Sequence, residues 1–155
     1  GAVVYGLAAG VAGLLMGGMA LMTAISGISA GRLGDRFGKT TVAHLFCLLS
    51  VPWLVAAGTT FNFPVLFISM VVYAFFVGGV DPLFQSIIAD STSRKSRGTA
   101  FGIVYSFRYI VYGISPLAGS ILSVVFSIRF VFVVTALVFL ILSSMILRYR
   151  RMSGH

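Results

Sequence analysis

The sequence predicts an all-α integral membrane protein, a bundle of about five transmembrane helices, from three observations. The mean hydropathy is +1.07, and 59% of the 155 residues are hydrophobic, which exceeds the apolar share of ordinary soluble domains. Charged residues make up only 9% of the chain. They cluster between long apolar runs, each of which is long enough to cross a hydrocarbon core of about 30 Å as a helix.

The first apolar run predicts a helix over about residues 9–30, within a stretch of thirty residues that carries no charge. Small residues recur along it at spacings of three and four, which places them on one helical face where a neighbouring helix can approach closely. They are Gly10, Gly13, Gly17, Ala20, Ala24, Gly27 and Gly31. A pore-lining role for this face is the alternative.

Because the chain begins with Gly1 rather than Met, we expect it to be a fragment.

The second and third helices are predicted over about residues 41–58 and 64–89. Pro52 lies inside the second helix and is expected to bend it, because proline has no backbone donor. Pro64 can start the third helix, where the missing N–H costs nothing. Farther along that helix, the flexible residues Gly78 and Gly79 come shortly before Pro82, which breaks helices. We therefore expect a bend or local unwinding there.

The fourth and fifth helices are predicted over about residues 98–124 and 130–147. The fourth contains Pro116 and Gly119, where we expect a bend. Three cations lie in each of the first charged loop, the second charged loop and the C-terminal tail, whereas the turns at the other end contain only Arg129. This asymmetry predicts an outside N-terminus and a cytoplasmic C-terminus.

The composition also bears on partners and on other classes of site. The net charge is +8, but the basic residues form short clusters beside apolar runs, a pattern typical of contact with lipid headgroups rather than with nucleic acid. The single cysteine, Cys47, lies inside an apolar run and can form no intrachain disulfide. We therefore expect the lipid bilayer as a partner, and no nucleic acid, metal or cofactor.

A charged decapeptide, residues 31–40, separates the first two predicted helices. We interpret it as a tight cytoplasmic turn, because glycines let helix ends approach and the cations favour the cytoplasmic side. It closely resembles the helix-two to helix-three loop of major facilitator superfamily transporters, which the family repeats between helices eight and nine. The matching residues are Gly31, Leu33, Gly34, Asp35, Arg36, Gly38 and Lys39, and only Thr40 departs.

The resemblance covers nearly the whole chain. The segment from Asp90 to Gly102 is similar to the family's loop between helices four and five or ten and eleven. Pro116 and Gly119 match part of a Gly-Pro-x-x-Gly-Gly signature that accompanies antiporters in helix five, although serines replace two of its glycines. A half of this superfamily has six helices, so the resemblance implies helices two to six or eight to twelve. We favour the C-terminal half, because the third span lacks the arginine that helix four carries in drug-proton antiporters.

This resemblance implies secondary active transport of a small solute by alternating access, without enzyme activity, in a multi-pass protein of the plasma membrane. The implied partners are the missing half of the same transporter and a small-molecule substrate, with a coupled proton as an option. A membrane-embedded structural or assembly protein without transport activity is the alternative. A membrane-embedded enzyme is the third class, but three acids, two histidines and no glutamate offer little for a catalytic cluster.

Asp81 and Arg108 are the candidate functional charges. Each lies inside a predicted helix, where an ionisable residue is costly and is functional by default. Counted from the second charged loop, they lie about 13 and 15 Å from the same boundary at about 1.5 Å per residue. They can therefore pair, either as a binding site for substrate or proton or as a permanent structural ion pair. For His44 near the first loop, we weigh a hydrogen-bonded interfacial role against a proton relay.

Overall fold

The computed structural model describes the backbone of residues 2–153 and the side chains of residues 9–148. Within this range the chain forms five helices and no β-strand: α1 (Ala2–Phe37), α2 (Lys39–Thr59), α3 (Phe63–Ser91), α4 (Arg97–Val125) and α5 (Ile128–Ser153). All five are long and apolar enough to cross a membrane. The predicted all-α membrane architecture is therefore confirmed.

The turn between α1 and α2 is a single residue, so the interpretation of the whole decapeptide as a turn is wrong. α1 continues as helix to Phe37 and α2 begins at Lys39. Gly38, with φ 90° and ψ 128°, adopts the positive φ that only glycine tolerates freely. A helix of 36 residues is about 54 Å long, so α1 can continue well beyond a hydrocarbon core of about 30 Å.

The connections alternate between the two ends of the bundle. The motif end, as we call it, contains Gly38 and the segment 92–96, and the opposite end contains the segments 60–62 and 126–127. Pro64 lies in the first turn of α3, as predicted. The motif end holds the two charged clusters, so charge marks where the helices leave the apolar layer.

The core forms where α1, α2, α3 and α5 meet. One buried cluster lies towards the motif end and the other towards the opposite end; they comprise Ala30, Val42, Ala43, Phe46, Cys47, Leu83 and Ile146, and Leu54, Ala57, Met70 and Ala136. α4 contributes no buried residue. Within the described part of the chain, α4 contacts only α3 and α5, and most of its residues are exposed.

Two glycines of α3 set its close approach to α1. A Cβ atom on Gly78 would lie 2.6 Å from the Cα of Thr23, and one on Gly79 would lie 2.6 Å from the Oγ of Ser26. The helix remains continuous through Pro82, so the local unwinding expected there does not occur. Both glycines serve helix packing, the usual role of small residues between membrane helices.

The small-residue face predicted on α1 points away from this contact. A Cβ atom added to Gly10, Gly13, Gly17, Gly27 or Gly31 would meet nothing within 4 Å. α1 instead contacts α3 through a different face, which includes Gly18, Ser26 and Gly34. The predicted face is therefore available to a helix outside the described part of the chain.

Candidate functional site

The structure brings Asp81 and Arg108 together as an ion pair between α3 and α4. Nη1 of Arg108 donates a hydrogen bond to Oδ1 of Asp81. The other carboxylate oxygen accepts a hydrogen bond of 3.3 Å from Nε2 of Gln85, one helical turn farther along α3. The side chains remain partly open, with 44% of Asp81 and 29% of Arg108 exposed. The pair is thus accessible from the space between the helices.

Tyrosines on α4 surround the guanidinium of Arg108. Its Nη2 donates to the hydroxyl of Tyr112 at 2.9 Å, and its Cζ lies 5.1 Å from the centroid of that ring. The ring of Tyr105 lies 5.9 Å away. These tyrosines are at positions i+4 and i−3 from the arginine, so all three side chains share one helical face. Arg108 therefore has three favourable contacts besides Asp81.

A cavity of about 250 Å³ opens beside the ion pair between α1, α3 and α4. Its lining combines the two charges with apolar and hydroxyl-bearing side chains: Met19, Thr23, Tyr73, Ala74, Val77, Gly78, Asp81, Arg108 and Tyr112. Thr23 and Gly78 also lie where α1 and α3 approach closely, because a Cβ atom on Gly78 would lie 2.6 Å from the Cα of Thr23. The packing of these helices and the shape of the cavity are consequently linked.

The cavity lining contains both charged and apolar side chains. Among the described residues, no group of three or more histidine, cysteine or acidic side chains could hold a metal ion. An ion pair in a cavity that also has hydroxyl-bearing and apolar side chains can bind a small amphipathic molecule, either by hydrogen bonding or because a charged group of the molecule replaces one member of the pair.

At the motif end, an exposed ion pair joins α2 to α3. Nζ of Lys39 lies 2.6 Å from Oδ2 of Asp90. It borders a polar cavity of about 450 Å³ that Asp35 also lines. Nε of Arg97 donates to the carbonyl oxygen of Ala89 at 3.0 Å, which ties the start of α4 to the end of α3.

The motif residues have distinct positions. A Cβ atom on Gly34 would lie 2.6 Å from Cδ2 of Leu83, so this glycine permits close packing, whereas Gly38 forms the turn. Gly31 faces open space. The remaining exposed members project from the last turns of α1; they are Leu33, Asp35 and Arg36. The residues of the motif thus divide between packing, turn formation and surface charge.

Several polar contacts were missed from the sequence. Gln85 and Tyr112 each lie one turn from a candidate charge, a spacing that could have indicated them. Nδ1 of His44 lies 2.8 Å from Oγ and 2.9 Å from the carbonyl oxygen of Ser143 on α5, which confirms its hydrogen-bonded interpretation. Its partner is 99 residues away, so local spacing held no signal for that contact.

Five helices that are long and apolar enough to cross a membrane place the protein in the class of polytopic α-helical membrane proteins. The family comparison is more specific, because residues 2–154 match the model of the Major Facilitator Superfamily. The chain belongs to this superfamily.

Two similar curated relatives are multidrug resistance proteins MdtG. The chain is 32% identical to the one from Erwinia billingiae over 134 residues, covering 84% of this chain and 32% of the relative. It is 30% identical to the one from Dickeya zeae over 135 residues, covering 77% of this chain and 31% of the relative.

A third relative, the uncharacterized MFS-type transporter YuxJ of Bacillus subtilis, is 28% identical over 109 residues, which cover 70% of this chain and 28% of the relative. The chain therefore spans about a third of the length of the curated relatives it matches. No solved structure gives a significant match.

Proposed function

We propose that the complete protein is a secondary active transporter that moves a small solute by alternating access. The family and the transporter names of its relatives support membrane transport. The observation that carries the proposal is the Asp81–Arg108 pair beside an open cavity. Intramembrane charges are expensive and usually mark a substrate or proton pathway, and transporter sites of this kind lie near the midplane.

The chain would supply one side of the transport site. Its five helices correspond to helices eight to twelve, and the remaining helices of the transporter would cover the open faces of α1 and α4. When a substrate or a proton competes for Asp81, the ion pair would open while the two halves rock about the site. In the plasma membrane, the motif end would face the cytoplasm, because the basic clusters lie there. This function requires no enzymatic step.

The proposal is tested with the complete protein in proteoliposomes. Uptake is measured across a panel of small solutes, with and without an imposed proton gradient, and protein-free vesicles provide the background. Accumulation above background identifies the substrate and its coupling. If the protein inserts normally but moves no solute in the panel, a structural or assembly role becomes the better explanation.

Asp35 is expected to control the rate of the conformational cycle without contacting substrate. It lines the polar cavity at the motif end, far from the Asp81–Arg108 pair. In the complete transporter, Asp35→Asn should slow uptake about ten-fold, equivalent to roughly 1.4 kcal/mol in the barrier, while substrate affinity changes less than about three-fold.

Initial rates and equilibrium binding separate these two effects. Lys95→Gln is the control, because this exposed side chain changes the charge of the same end without lining the cavity. An unchanged turnover rate in Asp35→Asn would contradict the proposed role.

A further inference from the structure

We propose that the cavity beside Asp81 binds a small organic cation, and that Tyr105 and Tyr112 hold Arg108 while the cation occupies the carboxylate. This inference rests on the proposed function, since it names a substrate class for the same site. It assigns Tyr105, which contacts Arg108, as a positioning residue, and it assigns Tyr112 two roles, because this side chain holds Arg108 and also lines the cavity.

Asp81 and Arg108 would keep different numbers of stabilising contacts if the ion pair separated. Asp81 would retain a single hydrogen bond, the 3.3 Å contact with Gln85. Arg108 would retain the 2.9 Å hydrogen bond to Tyr112 and the faces of two aromatic rings. Separation therefore leaves the carboxylate poorly compensated and the guanidinium well compensated. A ligand that opens the pair must compensate Asp81, and a positive charge does so more strongly than a neutral hydrogen-bond donor.

The distances leave Arg108 room to strengthen its aromatic contacts. Its Cζ lies 5.1 and 5.9 Å from the two ring centroids, in the outer part of the range of about 6 Å over which a cation is attracted to a ring face. Movement of the guanidinium towards either ring would strengthen the cation–π contact.

The rest of the cavity fits the apolar part of such a ligand. Asp81 and Arg108 are the charged residues of its lining, and Met19, Tyr73 and Val77 provide thioether, aromatic and aliphatic surface. An anion bound to Arg108 would leave Asp81 facing this surface with its weak hydrogen bond alone. The cavity volume of about 250 Å³ suits a ligand of the size of a substituted benzene ring.

The test uses the complete protein in detergent and three probes that share one ring. Isothermal titration compares phenyltrimethylammonium with benzenesulfonate and the neutral benzenesulfonamide. The cation should bind at least about ten-fold more tightly than either other probe, and Asp81→Asn should abolish that preference. Tyr112→Leu should weaken cation binding about ten-fold, and Tyr112→Phe about three-fold, because phenylalanine keeps the ring and loses only the hydroxyl.

Phe107→Leu is the matched control, since this side chain is 71% exposed on the same helix and does not line the cavity. It should leave cation affinity within about two-fold. Because Tyr112→Phe preserves the shape of the side chain, its cation affinity can still be measured if Tyr112→Leu does not fold.

Equal or tighter binding of benzenesulfonate would overturn the inference, as would unchanged cation affinity in both Tyr112 variants. Isothermal titration measures ligand binding to the protein in detergent, where no transport takes place. Cation preference without any solute uptake would therefore contradict only the transport proposal, whereas uptake of neutral or anionic solutes without cation preference would contradict only this inference.

Discussion

Neutralising either member of the Asp81–Arg108 pair should nearly abolish transport by the complete protein. Removing one partner of a fully buried pair costs about 3–5 kcal/mol, because the other charge stays uncompensated. Since both side chains are partly exposed, we expect a smaller cost of about 2 kcal/mol for Arg108→Gln, which leaves Asp81 with one hydrogen bond and should lower the uptake rate roughly thirty-fold. Asp81→Asn leaves Arg108 its tyrosine contacts, but we expect a similar loss because the variant lacks the carboxylate proposed to bind the substrate or proton. Initial uptake in proteoliposomes, normalised to inserted protein, measures the loss.

The double variant separates a structural pair from a functional one. Asp81→Asn combined with Arg108→Gln removes both charges and leaves neither uncompensated. Restored uptake would assign the pair to structure, and an inactive but well-folded double variant would assign it to substrate or proton binding. Lys95→Gln is the control, because this exposed side chain lines neither the cavity beside the ion pair nor the polar cavity at the motif end. Cysteines placed at positions 81 and 108 should be joined by a bifunctional thiol reagent of about the length of the arginine side chain in at least one state of the cycle, because a direct disulfide requires Cα atoms within about 7 Å.

The second large effect is expected at the crossing of α1 and α3. In Gly78→Ala, the new Cβ atom would lie 2.6 Å from the Cα and 2.9 Å from the Cβ of Thr23. A rotamer change cannot relieve a contact with the backbone, so the helices must separate. Overpacking typically costs about 1–3 kcal/mol, and we expect the upper end of this range. Thermal unfolding of the complete protein in detergent should show a clearly lower midpoint and a lower folded yield.

Gly98→Ala provides the comparison for this experiment. A Cβ atom there would meet nothing within 4 Å, and alanine is a better helix former than glycine by about 1 kcal/mol. Its stability should match or slightly exceed that of the unmodified protein. Wild-type stability in Gly78→Ala would show that the two helices are not as close as the structure places them.

The pattern of charged and hydrophobic residues predicted the all-α membrane fold, but it predicted only part of where the helices end and turn. Apolar runs bounded by charge predict spans because the hydrocarbon layer imposes a length. That layer does not determine where a helix ends, however, and α1 continues through the charged motif to Phe37. Gly38 differs from Gly34 only in its backbone conformation and contacts, which no local pattern distinguishes.

The candidate site could also be predicted in part from the sequence. Asp81 and Arg108 could be placed at one depth because both are counted from the same loop. Helical periodicity also grouped the small residues of α1 on one face, but it could not say which face meets a neighbour. The contact with α3 uses Gly18 and Ser26 instead. Pairings such as Lys39 with Asp90 depend on the arrangement of three helices.

The ion pair between α3 and α4 also bears on how the chain enters the bilayer during synthesis. α4 has the lowest mean hydropathy of the five spans, and it carries Arg108, whose partitioning into a membrane costs about 2.5–3.5 kcal/mol on insertion scales. α3 leaves the ribosome first, with Asp81 already in place, and the segment 92–96 is short. α4 can therefore partition as the second arm of a hairpin, with its arginine neutralised by the helix synthesised before it.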